Sequence, residues 1–159
     1  MKVLLVLLTL LLSPAALLSQ SNKAPVRPTA TSESDADSTT ATLAQFNALA
    51  QLWKNAYNAN DTGKLTTMYA VEADYISGHV QGLVAHGRER LIANFKNGIM
   101  AGGHIDSVTV LSVQMSCDLA TLLCKYEATN AGHKAVGRNL LVVKKAEERW
   151  IIVLHMTVI

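Results

Sequence analysis

The sequence predicts an α+β domain, with helices packed on one face of a curved, mainly antiparallel sheet. Helical periodicity occupies the first half of the region after Leu43, and β-rich runs at hairpin spacing occupy the second. The length of 159 residues, 17.1 kDa, holds one globular domain plus small extras and not two.

The chain opens with basic Met1-Lys2, an uninterrupted apolar run from Val3 to Leu12, and the small, helix-breaking stretch Ser13-Pro14-Ala15-Ala16. That three-part layout reads as a secretory signal peptide over residues 1–21, with cleavage points after Ala15, Ser19 or Ser21. The apolar stretch is short of the ~20 residues that span a bilayer, so no stable membrane anchor is expected after cleavage. Residues 22–42, rich in Ser, Thr, Pro and Asp, offer too little apolar surface to offset ordering and read as a disordered linker. The domain is expected over residues 43–159. The expected location is secreted or periplasmic.

Within the domain, Leu43, Phe46, Leu49, Ala50, Trp53, Ala56 and Tyr57 repeat at the spacing of an amphipathic first helix. Asn60-Asp61 supplies a cap for a short second helix with the stripe Leu65, Met68, Tyr69. Ala73 to Ser77 is a short strand, followed by a stretch punctuated by Gly78, Gly82 and Gly87. Arg88 to Ala101, with Leu91, Ile92, Phe95 and Ile99 on one face, forms a third helix closed by Gly102-Gly103. Four strands follow: Ile105–Met115, Leu119–Ala128, Lys134–Lys145 and Trp150–Ile159. The last strands are apolar on both parities, which predicts cover on both faces: helices on one, a partner subunit on the other.

The formal net charge of +2 and an aromatic content of 5% exclude the basic or stacking surfaces that nucleic acid requires. No phosphate loop or dinucleotide fingerprint is present, and no cofactor is expected. His79, His86, His104, His133 and His155 lack metal-ligand spacing, so no metal site is expected. His79, His86 and His133 sit in glycine-flanked loops and read as solvated. Cys117 in a turn and Cys124 in the next strand are separated by roughly 20 Å of extended chain, which predicts two free thiols.

Several runs in fixed order resemble the NTF2-like superfamily, nearest its SnoaL-like and DUF4440 branches. They are Leu52-Trp53-Lys54-Asn55-Ala56 leading to Asp61, Leu65, Met68-Tyr69, Ala73-Asp74, Gly87-Arg88-Glu89-Arg90-Leu91 with Phe95, and Arg149-Trp150-Ile151-Ile152 with His155-Met156-Thr157. The resemblance implies a cone-shaped barrel of three helices on a strongly bent sheet, a homodimer through the sheet, and an apolar pocket inside the cone. It implies no reaction, because the fold hosts many. A ketosteroid-isomerase-like member would need a carboxylate base on the first strand. That position falls near Ser77, and parity sets the nearby Asp74 with Ile76 rather than with Tyr75 and Ser77.

Asp74 and His155 are therefore the weak catalytic candidates, and Trp53, Tyr57, Arg138 and His155 the ligand-binding ones. Tyr57 follows Trp53 by one turn on the apolar stripe; a core tyrosine bonded to backbone is the commoner outcome for such a residue, and Tyr75 and Tyr126 share that ambiguity. His155 lies in the middle of an apolar strand with the parity of Ile151 and Val153, where an imidazole needs a partner or a cavity. Arg138 shares a face with Val136, Leu140 and Val142, and belongs to the cavity or to the subunit interface. With walls from Trp53, Phe95, Leu140 and Val153, the expected ligand is a mostly apolar molecule bearing a carbonyl or carboxylate. The functional expectation is an exported small-molecule-binding domain. The alternatives are a SnoaL-like isomerase, cyclase or dehydratase using acid-base chemistry on a carbonyl compound, and a protein-interaction module of the inhibitor or immunity type.

Overall fold

A computed structural model describes residues 33–78, 80 and 82–159; the expected signal peptide, the linker up to residue 32 and His79 lie outside the described residues. The element order is α1 (Glu33–Asn58), α2 (Thr62–Met68), β1 (Tyr69–Ser77), β2 (Val84–His86), α3 (Arg88–Met100), β3 (Gly103–Ser116), β4 (Leu119–Asn130), β5 (His133–Ala146) and β6 (Arg149–Val158). The six strands form one curved sheet in the order β2-β1-β6-β5-β4-β3. All neighbours are antiparallel except β1 and β6, which run parallel.

Four differences from the sequence expectation have physical causes. The first helix starts at Glu33 rather than Leu43, taking residues 33–42 out of the expected linker. No Gly or Pro stands between Pro28 and Gly63, and once a helix is nucleated each added residue costs little. Tyr69 begins β1 instead of ending α2, because it pairs with Ile152 across the parallel seam. The glycine-punctuated stretch contains a short edge strand, β2, paired with the end of β1. Finally, the register between β5 and β6 slips between Val142 and Val143, which makes Val153 the extra residue of a bulge. That bulge reverses the parity of β6, so Ile152 and His155 both point inward although they stand an odd three positions apart.

The N-terminus of α2 is capped as its sequence suggests, Asp61 Oδ1 accepting from the Lys64 N–H at 2.8 Å. The β4–β5 turn at Ala131-Gly132 has φ of 47° and 83°, the doubly left-handed pair that matches hairpin twist and that Gly at the second position makes easy.

An edge strand presents unpaired backbone groups, and besides the short β2 the long strand β3 is an edge of this sheet. Side-chain amides from one face of α1 cover it. Asn47 Oδ1 accepts from the Val110 N–H at 2.9 Å, and Gln51 Nε2 donates to the Val108 carbonyl at 2.7 Å. Asn58 does both, accepting from the Ile105 N–H and donating to its carbonyl at 2.8 Å each. α1 is thereby clasped along the sheet, and its apolar stripe is pressed onto the concave face. The core so enclosed includes Phe46, Leu65, Leu91, Leu122, Val143 and Ile152.

Candidate functional site

Every buried polar side chain among the described residues belongs to two adjacent cross-strand rows on the concave face. They are Ser77, Asn139, His155 and Thr157, and no Asp, Glu, Lys or Arg is buried with them. One row runs Tyr75, His155, Leu141, Leu122; the next runs Ser77, Thr157, Asn139, Cys124, Val110. The bulge at Val153 is what admits His155 and Thr157 to this face.

His155 is held by a relay. Trp53 Nε1 can only donate, and it donates to the Tyr69 hydroxyl at 2.8 Å. The arrangement that uses every proton has Tyr69 donating in turn to His155 Nδ1 at 2.9 Å, which leaves the imidazole proton on Nε2. That N–H faces the Thr157 hydroxyl at 3.4 Å, a loose contact. Complete burial pushes the His155 pKa down to about 3, so the ring is neutral near pH 7. Burial also raises the Tyr69 phenol well above its ordinary range, so it stays a donor.

Aromatic rings pack around the imidazole. Trp53, Tyr75 and Phe95 lie edge-on to it, with ring centres 5.4, 5.3 and 5.8 Å away. Tyr57 packs on Trp53 and Phe95, and its hydroxyl lies against Gly98 and Gly103. A Cβ at Gly103 would stand 2.9 Å from that oxygen and 2.8 Å from the Gly98 carbonyl, so this seam between α3 and β3 requires glycine. Burial, then the nearby Tyr75 phenol, raises the pKa of Tyr57; the same causes push Tyr126 up to about 12.

Against this bonded relay stands Asn139. It is 4% exposed, and no protein group lies within hydrogen-bonding reach of its Oδ1. An unpaired buried amide oxygen costs roughly 1–3 kcal/mol, so it marks a place where the fold leaves polar capacity unused. Ser77, at the end of the same row, keeps a trace of solvent contact at 8% exposure.

The structure brings together only some of the residues singled out in the sequence. Trp53, Tyr57 and His155 share the interior. Arg138 does not: it is exposed on the opposite face, beside Lys125 and Val158, with Nη1 on the neighbouring Gly137 carbonyl at 3.1 Å. Parity decides this, since inward β5 positions are Gly137, Asn139, Leu141 and Val143. Leu140 and Val153, expected as cavity walls, leave the interior for the same reason and through the bulge respectively. Asp74 alternates with inward Ala73 and Tyr75 and forms a 2.7 Å pair with exposed His86 on β2. Asn139 and Thr157 were missed, because a short polar residue in an apolar strand carries no signal of which face it takes.

Both cysteines are free: Cys117 is exposed in a turn at φ 51°, and Cys124 is buried with its thiol pushed up to about 12. Among the described residues no group of three or more His, Cys, Asp or Glu stands together to hold a metal. Two open surface clefts, about 570 and 350 Å³, flank Arg88 and Glu89 at the start of α3. The interior carries the stronger claim, because among the described residues the buried polar atom without a partner lies there.

No protein-family model and no curated protein matches the chain. Solved structures do match it. An NTF2-like protein of unknown function from Pseudomonas putida is 16% identical, over 75% of this chain and 87% of that one, with a TM-score of 0.62. A ketosteroid isomerase-like protein from Erwinia carotovora atroseptica is 20% identical, over 73% and 94%, with a TM-score of 0.60. A domain of unknown function with a cystatin-like fold from Nostoc punctiforme is 21% identical, over 76% and 78%, with a TM-score of 0.62. At these identities the likeness establishes the architecture and leaves the chemistry to the residues themselves.

Proposed function

We propose that this chain, which has the NTF2-like α+β cone fold, is a small-molecule-binding domain that acts outside the cytoplasm and performs no acid-base chemistry of its own. The observation that carries the reading is the unpartnered Asn139 Oδ1, buried in a polar row within an otherwise apolar, aromatic-lined interior. A ligand seated against Ser77, Asn139 and Thr157 would have Trp53, Tyr57, Tyr75 and Phe95 as its apolar surroundings.

The residues argue against the SnoaL-like isomerase alternative, and a place in that branch or in DUF4440 rests on the sequence runs alone. A proton-transfer mechanism needs a group of suitable pKa within reach of the substrate. Asp74 faces away, and His155 has its Nδ1 lone pair engaged and a pKa of about 3. Export rests on the leader layout of residues 1–21, and N-terminal sequencing should place the mature start between Ala16 and Asn22.

Self-association through the outer face belongs to the same proposal. That face presents Leu123, Val136 and Val158, exposed by 38%, 55% and 47%, beside half-buried Leu140, Val142 and Met156. Sedimentation should find a dimer; a monomer would favour a foreign protein partner and the interaction-module alternative. Binding is tested by native mass spectrometry of gently purified protein. A co-purified small molecule that is lost in Asn139→Leu supports the site, whereas one retained unchanged in that variant places the ligand elsewhere.

A further inference from the structure

We infer that the free edge of β3, from Ser112 to Ser116, pairs with the same stretch of a second copy, antiparallel about a two-fold axis at Gln114. The contact is separate from the outer face and does not depend on the ligand-binding reading.

This edge is closed along one half and open along the other. Ile105, Val108 and Val110 face inward and turn backbone groups away from β4, and Asn58, Gln51 and Asn47 take those groups. The clasp ends there, since α1 leaves the edge beyond Asn47, where Phe46 packs on Trp150 of β6. Ser116 and Leu119 close a two-residue turn and so bond to each other, and along an antiparallel ladder bonded and unbonded pairs alternate. Val113 and Met115, opposite Leu122 and Ala120, therefore direct N–H and C=O into the space beside the edge. Among the described residues no side chain and no further strand takes these groups.

The devices that guard an exposed edge are missing from this half. Ser107 to Cys117 contains no charged residue and no proline. The opposite edge of the sheet, β2, is guarded by its length of 3 residues.

The occupant that fits is the segment itself. Ser112-Val113-Gln114-Met115-Ser116 reads nearly alike from both ends. Turned about Gln114, it sets Ser112 opposite the partner's Ser116, Val113 opposite the partner's Met115, and Gln114 opposite its own counterpart. Val113 and Met115 then exchange both backbone bonds across the axis, the glutamine amides and the serine hydroxyls can bond one another, and Met115, 54% exposed, is covered. The bulge at Leu111 and the turn at Cys117 stand equally far from Gln114, so the turn of each copy arrives where the straight run of the other ends. An extended peptide of another protein would meet the same backbone groups, but it would owe nothing to this symmetry. A strip this short buries far less than the roughly 1,200–2,000 Å² of a stable interface, so it joins copies weakly.

The test is disulfide trapping of the full mature chain, with Cys117→Ser throughout so that the exposed native thiol plays no part. On the axis, Gln114 and its counterpart form a pair without backbone bonds, whose Cα atoms lie about 4.5 Å apart, within disulfide reach. Mild oxidation should convert Gln114→Cys to a covalent dimer. Ser112→Cys and Ser116→Cys should each stay uncrosslinked alone, because roughly 13 Å of strand separates either residue from its own counterpart, and should crosslink when mixed. Met115→Pro removes an N–H that the β3–β4 ladder does not use, so it should abolish the Gln114→Cys dimer while urea unfolding stays cooperative. Gln114→Lys and Gln114→Glu give a reading without new thiols: each alone should lose edge association in concentrated solution, and an equal mixture should regain it. Ser112→Cys that crosslinks alone as fast as Gln114→Cys overturns the inference. So does a Gln114→Cys chain that stays uncrosslinked at millimolar concentration, which would leave the edge to a foreign extended peptide.

Discussion

The two ends of the concave face are built from the same strands and follow opposite rules. At the end where α1 meets the start of β6, Phe46 packs on Trp150 at 5.2 Å, and Ala120, Val143 and Ile152, which share one cross-strand row, are buried. No polar side chain interrupts that layer, and close packing supplies its stability. At the other end, the continuation of the same strands places Ser77, Asn139 and Thr157 in a row, with small residual exposure and one unpaired oxygen. His155 and its relay to Tyr69 and Trp53 form the boundary. The difference teaches that one end is spent on holding the fold together, while the other keeps one polar atom, Asn139 Oδ1, that the fold itself does not pair.

The largest expected effect comes from damaging the dry end. Ile152→Ala removes methylenes from a fully buried position on the central strand β6 and should cost about 2–5 kcal/mol in urea unfolding. Because it leaves the polar row intact, affinity for a bound ligand should change little in the fraction that is folded. A loss of affinity as large as the loss of stability would show that the two ends are one cooperative unit.

Acid should act at the boundary. His155 is held at about 3 in the fold against its ordinary 6.5, so the unfolded chain takes up the proton first. Stability is then fully present above about pH 6.5 and falls as pH decreases below it, by about 1.4 kcal/mol per unit at most, until the folded pKa is reached. Denaturant midpoints measured from pH 7 to pH 5 should show that fall, and His155→Gln should flatten it. A wild-type profile without slope in this window would mean that His155 is not buried as described.

The amides that clasp the edge give a smaller effect, and they show where sequence reasoning stops. Helix α1, the apolar stripe of the interior and the hairpin meander were all legible, because burial imposes periods of 3.6 and 2 on the residues. Asn47, Gln51 and Asn58 lie off that stripe, and a polar helix residue reads as solvated unless its partner is known. Their partners are backbone groups of β3, remote in sequence by 47 to 63 residues. The site failed for a related reason. Strand parity placed Asp74 opposite Tyr75, but a single bulge at Val153 moved His155 and Thr157 onto the face of Asn139, and bulges leave no periodic trace. Asn58→Ala should cost about 1–3 kcal/mol through the two bonds to Ile105, measured by thermal or urea unfolding. A neutral result would show that water replaces the amide at this edge without penalty.

Arg138→Ala should do least to the folded chain. Expected in the pocket, it stands instead on the outer face opposite Lys125, which already has Glu127 at 2.8 Å. Like charges directly opposite across a strand pair are mildly unfavourable, and the other contact of Arg138 is with its own preceding carbonyl. Truncation should therefore move stability by no more than about 0.5 kcal/mol and leave interior binding unchanged. The outer face is where the variant could register, because Val136, Leu140 and Val158 surround the position and would be covered in a dimer. Sedimentation that finds altered self-association, alongside calorimetry that finds unaltered ligand affinity, would separate the two faces of the sheet by function. A binding defect in Arg138→Ala would instead put the ligand on the outer face and remove the assignment of Asn139.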